Sequence, residues 1–381
     1  MIYLSEPNLT GNEKKYLCEC IDTTFVSSVG EFVTRFENGT AMAAGAEYGV
    51  AVSSGTAGLH IALKAFNVGA NDLVCIPSFT FIATANAVKH CGAEPWLMDI
   101  DPESWTMSAE VLERELRENT YEMNGVLYHA HLNRRVAAIM PVYTLGTPAD
   151  MDSINQIARS YHLPVIADAA AAVGAKYKGR GLAELADATV FSFNGNKTLT
   201  CGGGGVVVSN RKDVAGRIRH LSTTARVGAE YNHDMVGYNY RMTNLQAAVG
   251  AAQLERLDEF IEKKRYIHRY YNERLGDLSA VKLFPEAAWA QSSYWFSGVL
   301  LNREFEIREV CGKMRQVGIE SKTFWKPVHL QQAYLNCCKS DMAVSENIWE
   351  RILILPSSTG IGDGELKFVV ESLKSLLMVN S

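Results

Sequence analysis

The sequence predicts an α/β fold: a mainly parallel sheet with helices on both faces, followed by a smaller α+β C-terminal domain. Three observations carry this. Between about residues 50 and 210, apolar runs of four to seven residues alternate with amphipathic helical stretches, the pattern of strands buried on both faces. After residue 242 the alternation stops, and a long stretch of helical period leads into mixed strands and helices. With 381 residues, 47% of them apolar and 21% charged, the chain has the balance and length of a two-domain globular protein. The boundary is expected near 255, dividing 1–255 from 256–381.

The elements follow in order. "YGVAV" (48–52) reads as a strand and runs into "SSGTAGLH" (53–60), a tight turn opening a helix. "DLVCIP" (72–77) is a strand, and "TFIATANAVKHCG" (80–92) a helix ending near Gly92. "PWLMDI" (95–100) is a strand. "SAEVLERELREN" (108–119) is a helix with Ser108 as N-cap and Glu110 in the first turn, where a carboxylate meets the positive end of the helix dipole. Val111 at the third helical position leaves it without a capping box. "ENTYEMNGVLYHAHLNRR" (118–135) fits neither period and is expected to be a surface excursion. "VAAIMPV" (136–142) is a strand, "DMDSINQIARSYH" (150–162) a helix, and "PVIA" (164–167), "ATVFSF" (188–193) and "GGVVVS" (204–209) are strands. Residues 243–276 read as one long helix bent at Gly250. "YWFSGVLL" (294–301) and "IESKTFW" (319–325) then give strands, and "IREVCGKMRQVG" (307–318) and "GELKFVVESLKSLLM" (364–378) give helices.

Several function classes lose support. The net charge is −5 and no basic stripe appears, so no nucleic-acid partner is expected. No apolar run approaches the ~20 residues of a membrane span. "MIYLSEPNLTGNEKKYL" lacks the charged and apolar regions of a signal peptide, so a cytoplasmic location is expected. The eight cysteines form no CxxC pair and read as free thiols. "HAH" (129–131), with no acid or cysteine beside it, reads as a solvated loop, so no metal is expected. The charge run "LERLDEFIEKKR" (254–265) reads as the solvated face of a helix.

Ligands of open parallel sheets collect at the carboxyl ends of the strands. After the first strand, "SSGT" is either a capped turn or a phosphate site at a helix N-terminus. Phe79 and Phe81 follow the second strand, as core or as a ring that stacks on a planar ligand. Asp168 follows "PVIA", as a helix cap or as the partner of a cationic ring nitrogen. Lys197 follows "ATVFSF" and precedes four glycines that let the backbone pass close to a ligand. A strand-end lysine near desolvating walls condenses with an aldehyde when its pKa is lowered. Phosphate cradle, aromatic platform, carboxylate and lysine together are the parts of a pyridoxal phosphate site.

On these residues, and on "PSFTFIATANAV", "DIDPESWTM", "PVYTLGTPADMD", "IADAAAAVGAKYKG", "FSFNGNKTLTCGGGG", "GYNYRMTNLQAAVG" and "FWKPVHLQ", the chain resembles the DegT/StrS-type nucleotide-sugar aminotransferases over nearly its whole length. The resemblance implies the fold type I architecture of pyridoxal-phosphate-dependent transferases, with a mainly parallel seven-stranded sheet. It implies that Lys197 forms the Schiff base to the cofactor and moves the proton, that Asp168 pairs with the pyridine nitrogen and that Phe81 stacks on the ring. Gly55, Thr56, Ala57 and Ser192 would hold the phosphate. Asn239, with Arg241 beside it, would reach the partner's site in a homodimer, and Trp325 and His329 would lie near the substrate. The cofactor would alternate between pyridoxal and pyridoxamine phosphate, with L-glutamate as amino donor. "SFNGNK" and "ESKTFWKPVHLQ" look most like enzymes that aminate C4 of a UDP-linked 4-keto-6-deoxy sugar, of the bacillosamine or legionaminic acid type. GDP-4-keto-6-deoxymannose aminotransferases, the perosamine synthases, are the alternative, and a pyridoxal-phosphate-binding sensor without turnover is the alternative of another class. The sequence departs from the family at the Asp motif, where Ala167, Ala171 and Val173 replace Glu, Gln and His, and at Tyr143, which replaces His. Asn194 or a water is expected to make the ring-hydroxyl contact of the missing Gln. Relatives that dehydrate carry histidine in place of this lysine, so the intact Lys197 favours amination.

Overall fold

Among the residues described by the computed structural model, 1–378, seven strands form the body of the main sheet, which a hairpin at 120–129 extends beside Arg134 and Arg135. They are β1 (Tyr48–Val52), β2 (Leu73–Pro77), β3 (Glu94–Met98), β4 (Arg134–Ile139), β5 (Ile166–Asp168), β6 (Ala188–Ser192) and β7 (Gly205–Ser209). Their spatial order is β3-β2-β4-β5-β6-β7-β1. β2 runs parallel to β3 and β4, and β5 runs parallel to β6. β5 meets β4 through parallel bridges Ile139–Val165 and Val142–Asp168. β7 is antiparallel to both β6 and β1. The reversal has a simple cause. A parallel neighbour needs a crossover, and residues 193–204 between β6 and β7 hold no helix to make one.

Alternate residues of each strand feed two cores. Leu73 and Cys75 of β2, with Val206 and Val208 of β7, face one side. Val74 and Ile76, with Val207, face the other. Helices α1 (Glu13–Asp22), α2 (Glu31–Ala44), α5 (Ala109–Asn119), α6 (Met151–Ser160) and α8 (Asn244–Leu254) supply residues such as Phe36, Leu112, Ile154 and Ala248 to the first core. Helices α3 (Gly55–Ala65), α4 (Ile82–His90) and α7 (Lys212–Ser222) supply Leu59, Val88 and Ile218 to the second. Ser108 caps α5 as expected, its Oγ accepting the Val111 N–H at 3.2 Å.

The structure departs from the sequence reading in four places. "HAH" is not wholly a solvated loop: His129 is buried against Trp96, with Nε2 3.3 Å from Cys338 Sγ. Residues 118–135 are not an irregular excursion. Thr120–Met123 pairs with Val126–His129 as a hairpin whose turn is Asn124-Gly125, both at positive φ. The long helix does not bend at Gly250. A Cβ there would lie 2.5 Å from Cys201 Sγ and 2.6 Å from the Phe36 ring, so this glycine serves close packing. The break comes at Arg256 (φ −114°, ψ 13°), between α8 and α9 (Leu257–Leu275). Nor is the 254–265 charge run fully solvated, since Leu257, Phe260, Ile261 and Lys264 are buried.

Beyond α9 a second, antiparallel sheet has the order β8 (Val281–Leu283), β9 (Ser297–Leu301), β11 (Ile352–Leu355), β10 (Lys322–Thr323). It packs on α9, α10 (Ile307–Gln316) and α12 (Asp363–Met378), through Tyr271, Val299, Met314, Leu353 and Leu373. A mixed cluster joins the two sheets. Phe79 and Trp105 from the larger layer meet Phe284, Trp295, Phe324 and Ile354 from the C-terminal one. The main cleft opens beside it.

Candidate active site

The carboxyl ends of β1, β5 and β6 converge on a cleft of about 370 Å³. At the end of β1, Ser54 is extended and caps α3, its Oγ accepting the Ala57 N–H at 3.0 Å and its carbonyl the Gly58 N–H at 3.0 Å. The N–H groups of Gly55 and Thr56 have no acceptor within the helix, and both residues line the cleft. Ser192 faces them from the end of β6. A Cβ on Gly55 would lie 2.8 Å from Ser192 Cβ and 3.0 Å from its Oγ, so only glycine leaves this cradle open. Gly205 closes it from β7, where a Cβ would lie 2.9 Å from the Gly55 nitrogen.

Asp168, at the end of β5, is 4% exposed. Its Oδ2 accepts from Thr84 Oγ1 at 2.7 Å and its Oδ1 from the Ala170 N–H at 3.1 Å. Burial pushes its carboxyl pKa up, while these two bonds and the nearby Lys197 hold it back. Lys197 sits on the 193–204 loop, its N–H donating to the Asn194 carbonyl at 3.0 Å. Burial pulls its amine down to about 8, with the Asp168 charge opposing. Its Nζ lies 3.7 Å from the centroid of the Trp295 ring. The Trp295 indole N–H donates to the Asn196 carbonyl at 2.6 Å, so one residue touches both the lysine amine and the main chain just before it. Sequence reasoning missed Trp295. Its one signal was an aromatic residue just before an apolar run, which says nothing of a contact so far along the chain.

Most candidates come together. Gly55, Thr56, Phe81, Asp168, Ser192, Asn194, Lys197 and Trp325 all line the cleft. Phe79 is wholly buried, whereas Phe81 is exposed on the cleft wall with its ring 5.9 Å from that of Trp325. Four candidates lie elsewhere. The Ala57 N–H is taken by the Ser54 cap. Asn239 and Arg241 are exposed on a segment that bridges Thr223 and Val52, and they line no part of this cleft within one chain. His329 is not part of the cleft lining. It is 1% exposed, with Nδ1 2.6 Å from Ser78 Oγ and Nε2 3.1 Å from Glu346 Oε1, so it ties the turn before α4 to α11 (Ala343–Ile348). Ala171, where the Gln is missing, lines the cleft, as does Tyr143.

The donor set fits pyridoxal phosphate. Two helix-start N–H groups and a serine hydroxyl suit a phosphate, a buried carboxylate suits a protonated ring nitrogen, and a desolvated amine suits an aldehyde. Among the described residues no three His, Cys, Asp or Glu side chains gather as a metal site, and no helix is long and apolar enough to cross a membrane.

A model of the DegT/DnrJ/EryC1/StrS aminotransferase family matches residues 7–374. The chain belongs to that family. This DegT/DnrJ/EryC1/StrS aminotransferase is 36% identical over 99% of its length to a GDP-perosamine synthase of Caulobacter vibrioides, covering 98% of that protein. It is 37% identical over 97% of its length to a GDP-perosamine synthase of Escherichia coli O157:H7, covering 96% of it. Among solved structures, the aminotransferase TlmJ of Streptoalloteichus hindustanus matches with a TM-score of 0.90 at 26% identity, with 100% of each chain covered. The protein is accordingly a transaminase of fold type I that uses pyridoxal phosphate.

Proposed function

We propose that this aminotransferase moves an amino group from L-glutamate to the C4 ketone of GDP-4-keto-6-deoxymannose. The observation that carries the reading is similarity over nearly the full length to GDP-perosamine synthases from two organisms. It displaces the UDP-sugar expectation, which rested on "SFNGNK" and "ESKTFWKPVHLQ". Those segments surround the amine: Asn196 receives the Trp295 indole, and Trp325 stands beside Phe81. They report on the geometry around Lys197 more than on a nucleotide.

Pyridoxal phosphate supplies the aldehyde that exchanges the amino group and a ring that spreads the charge left on the neighbouring carbon. The rest falls to the chain. Gly55, Thr56 and Ser192 bind the phosphate and fix the cofactor's register. Asp168, held by Thr84 and Ala170, keeps a ring nitrogen protonated. Phe81 covers a face of the ring. Lys197 Nζ would carry a proton from the amine-bearing carbon of the cofactor to sugar C4, a task suited to an amine with a pKa of about 8. Trp295 closes the lysine's side of the cleft against water. Asn239 and Arg241 complete a partner's site in a cytoplasmic homodimer, and the chain divides at the α8–α9 break into units 1–255 and 256–381.

The test offers UDP-4-keto-6-deoxy-N-acetylglucosamine and GDP-4-keto-6-deoxymannose separately to the holoenzyme with L-glutamate, and reads amination by mass spectrometry. Amination of the GDP sugar is expected. Amination of the UDP sugar alone overturns the proposal.

A further inference from the structure

Lys264 lies in the charge run that the sequence reads as solvated, yet it is 1% exposed. Among the described residues no carboxylate stands against it. Its Nζ donates instead to two main-chain oxygens, of Trp295 at 2.7 Å and of Ser357 at 2.5 Å. A lysine in such a place is costly unless its donors are used. Burial pulls its amine down to about 7. A neutral amine still carries two N–H donors, which match its two acceptors, so the contact holds in either protonation state.

The Trp295 side of this contact is built with equal care. The Trp295 N–H donates to the Leu145 carbonyl at 2.9 Å, and its indole N–H to Asn196 at 2.6 Å. The preceding Tyr294 is held at φ 45°, a left-handed conformation that a non-glycine residue keeps only under constraint. Its ring stacks on His268 at 3.8 Å, and His268 lies one turn beyond Lys264 on the same face of α9. Before it, Ser293 Oγ donates to the Ala171 carbonyl at 3.0 Å, on the cleft wall. Thus α9 grips a strap, residues 293–295, whose last ring lies against Lys197 Nζ.

We infer that Lys264 is a positioning residue for the reaction: it pins the main chain of Trp295, so that the indole holds the Lys197 amine at a fixed place in the cleft. Lys264 itself touches neither cofactor nor substrate. Its effect reaches Lys197 through Trp295 alone. The inference rests on Lys197 being the amine that joins the cofactor. It does not depend on which sugar is the acceptor.

The experiment uses the holoenzyme with pyridoxal phosphate and no sugar. The visible absorbance of the bound cofactor is titrated against pH in wild type, Lys264→Met, Trp295→Phe and the double variant, with thermal melts in parallel. A wild type with no visible band would count against Lys197 itself and so marks failure of the underlying reading. With the band present, Lys264→Met is expected to melt cooperatively while its titration midpoint moves by about half a pH unit or more. Its kcat should fall about tenfold with the amino-donor KM within about twofold, as for a misplaced catalytic group. The double variant should shift no further than Trp295→Phe, because both act on one path. A folded Lys264→Met with the wild-type midpoint and kcat overturns the inference, as do additive shifts in the double variant. If Lys264→Met does not fold, Trp295→Phe decides: it leaves both carbonyl contacts of Lys264 in place, and an unchanged midpoint there overturns the inference as well.

Discussion

Replacing Thr84 by Val removes one hydroxyl from the buried chain that ends on Asp168. Thr80 Oγ1 lies 2.8 Å from Thr84 Oγ1, which donates to Asp168 Oδ2 at 2.7 Å. Valine keeps the shape, so no cavity forms, and the change isolates the hydrogen bond. A bond to an ionised acceptor is worth about 1.5–3 kcal/mol, against about 0.5–1.5 for a neutral one. The loss therefore weighs more on the ionised form than on the neutral one and raises the Asp168 pKa further. Burial already holds this carboxyl above its ordinary value, so the folded chain binds more protons than the unfolded one across that window. The group's contribution is therefore full at low pH and is lost as pH rises through the folded pKa. Thr84→Val moves that pKa higher and deepens the loss on the alkaline side. In urea unfolding of the cofactor-free protein, the variant should lose about 1.5–3 kcal/mol at pH 8 and distinctly less at pH 5. Its affinity for pyridoxal phosphate should also fall, because the ionised Asp168 that would hold a protonated ring nitrogen is less well supported. Equal losses at the two pH values, or a loss below about 0.5 kcal/mol at pH 8, would show that Thr84 does not support a charged carboxylate.

Gly55→Ala places a Cβ 2.8 Å from Ser192 Cβ. Overpacking should cost about 1–3 kcal/mol and weaken cofactor binding in equilibrium dialysis by about tenfold or more, and wild-type affinity would show that the phosphate does not sit in this cradle. The Lys197 amine, drawn down to about 8, should be acylated in the cofactor-free protein with a rate half-maximal near pH 8, followed by peptide mass spectrometry. A midpoint shared with the surface lysines, near the ordinary ~10.4, would deny its desolvation. His329→Asn breaks the ties to Ser78 and Glu346 and should cost about 1–3 kcal/mol of stability while leaving the sugar KM within about twofold. A large rise in KM at unchanged stability would return His329 to the substrate.

The central sheet was legible because each strand is a short apolar run between helical stretches, and each strand end was therefore a place to look. That rule reached Ser54–Thr56, Asp168 and Lys197 from local pattern alone, whereas Ser192 came only from the family resemblance. The hairpin at 120–129 left a signal in Asn124-Gly125 that went unread, because its four-residue strands, with Glu122 in one and His129 in the other, show no clean alternation. Trp295 and Lys264 were not legible. Both act through contacts made across the fold, and a lysine inside a run of charges looks solvated until α9 is packed against Trp295 and Ser357. At His329 the packing adds what the sequence could not carry. A histidine beside a motif has the right chemistry for a site, and only the packed structure shows both ring nitrogens engaged with Ser78 and Glu346.

β1 forms one edge of the sheet, and its neighbour is β7, with Val52 opposite Gly205. Half of the phosphate cradle follows β1, and the other half follows β6 and opens β7. Four strands and their helices separate those halves along the chain, so bringing them together closes a very long loop. Such closure pays its entropy before any contact rewards it, and it tends to come late and slowly during folding. Until β1 docks, the nascent protein offers the cofactor a carboxylate and a lysine but no place for its phosphate. Pyridoxal phosphate present from the start of refolding should thus leave the rate of the main folding step unchanged and slow only the return to the unfolded chain.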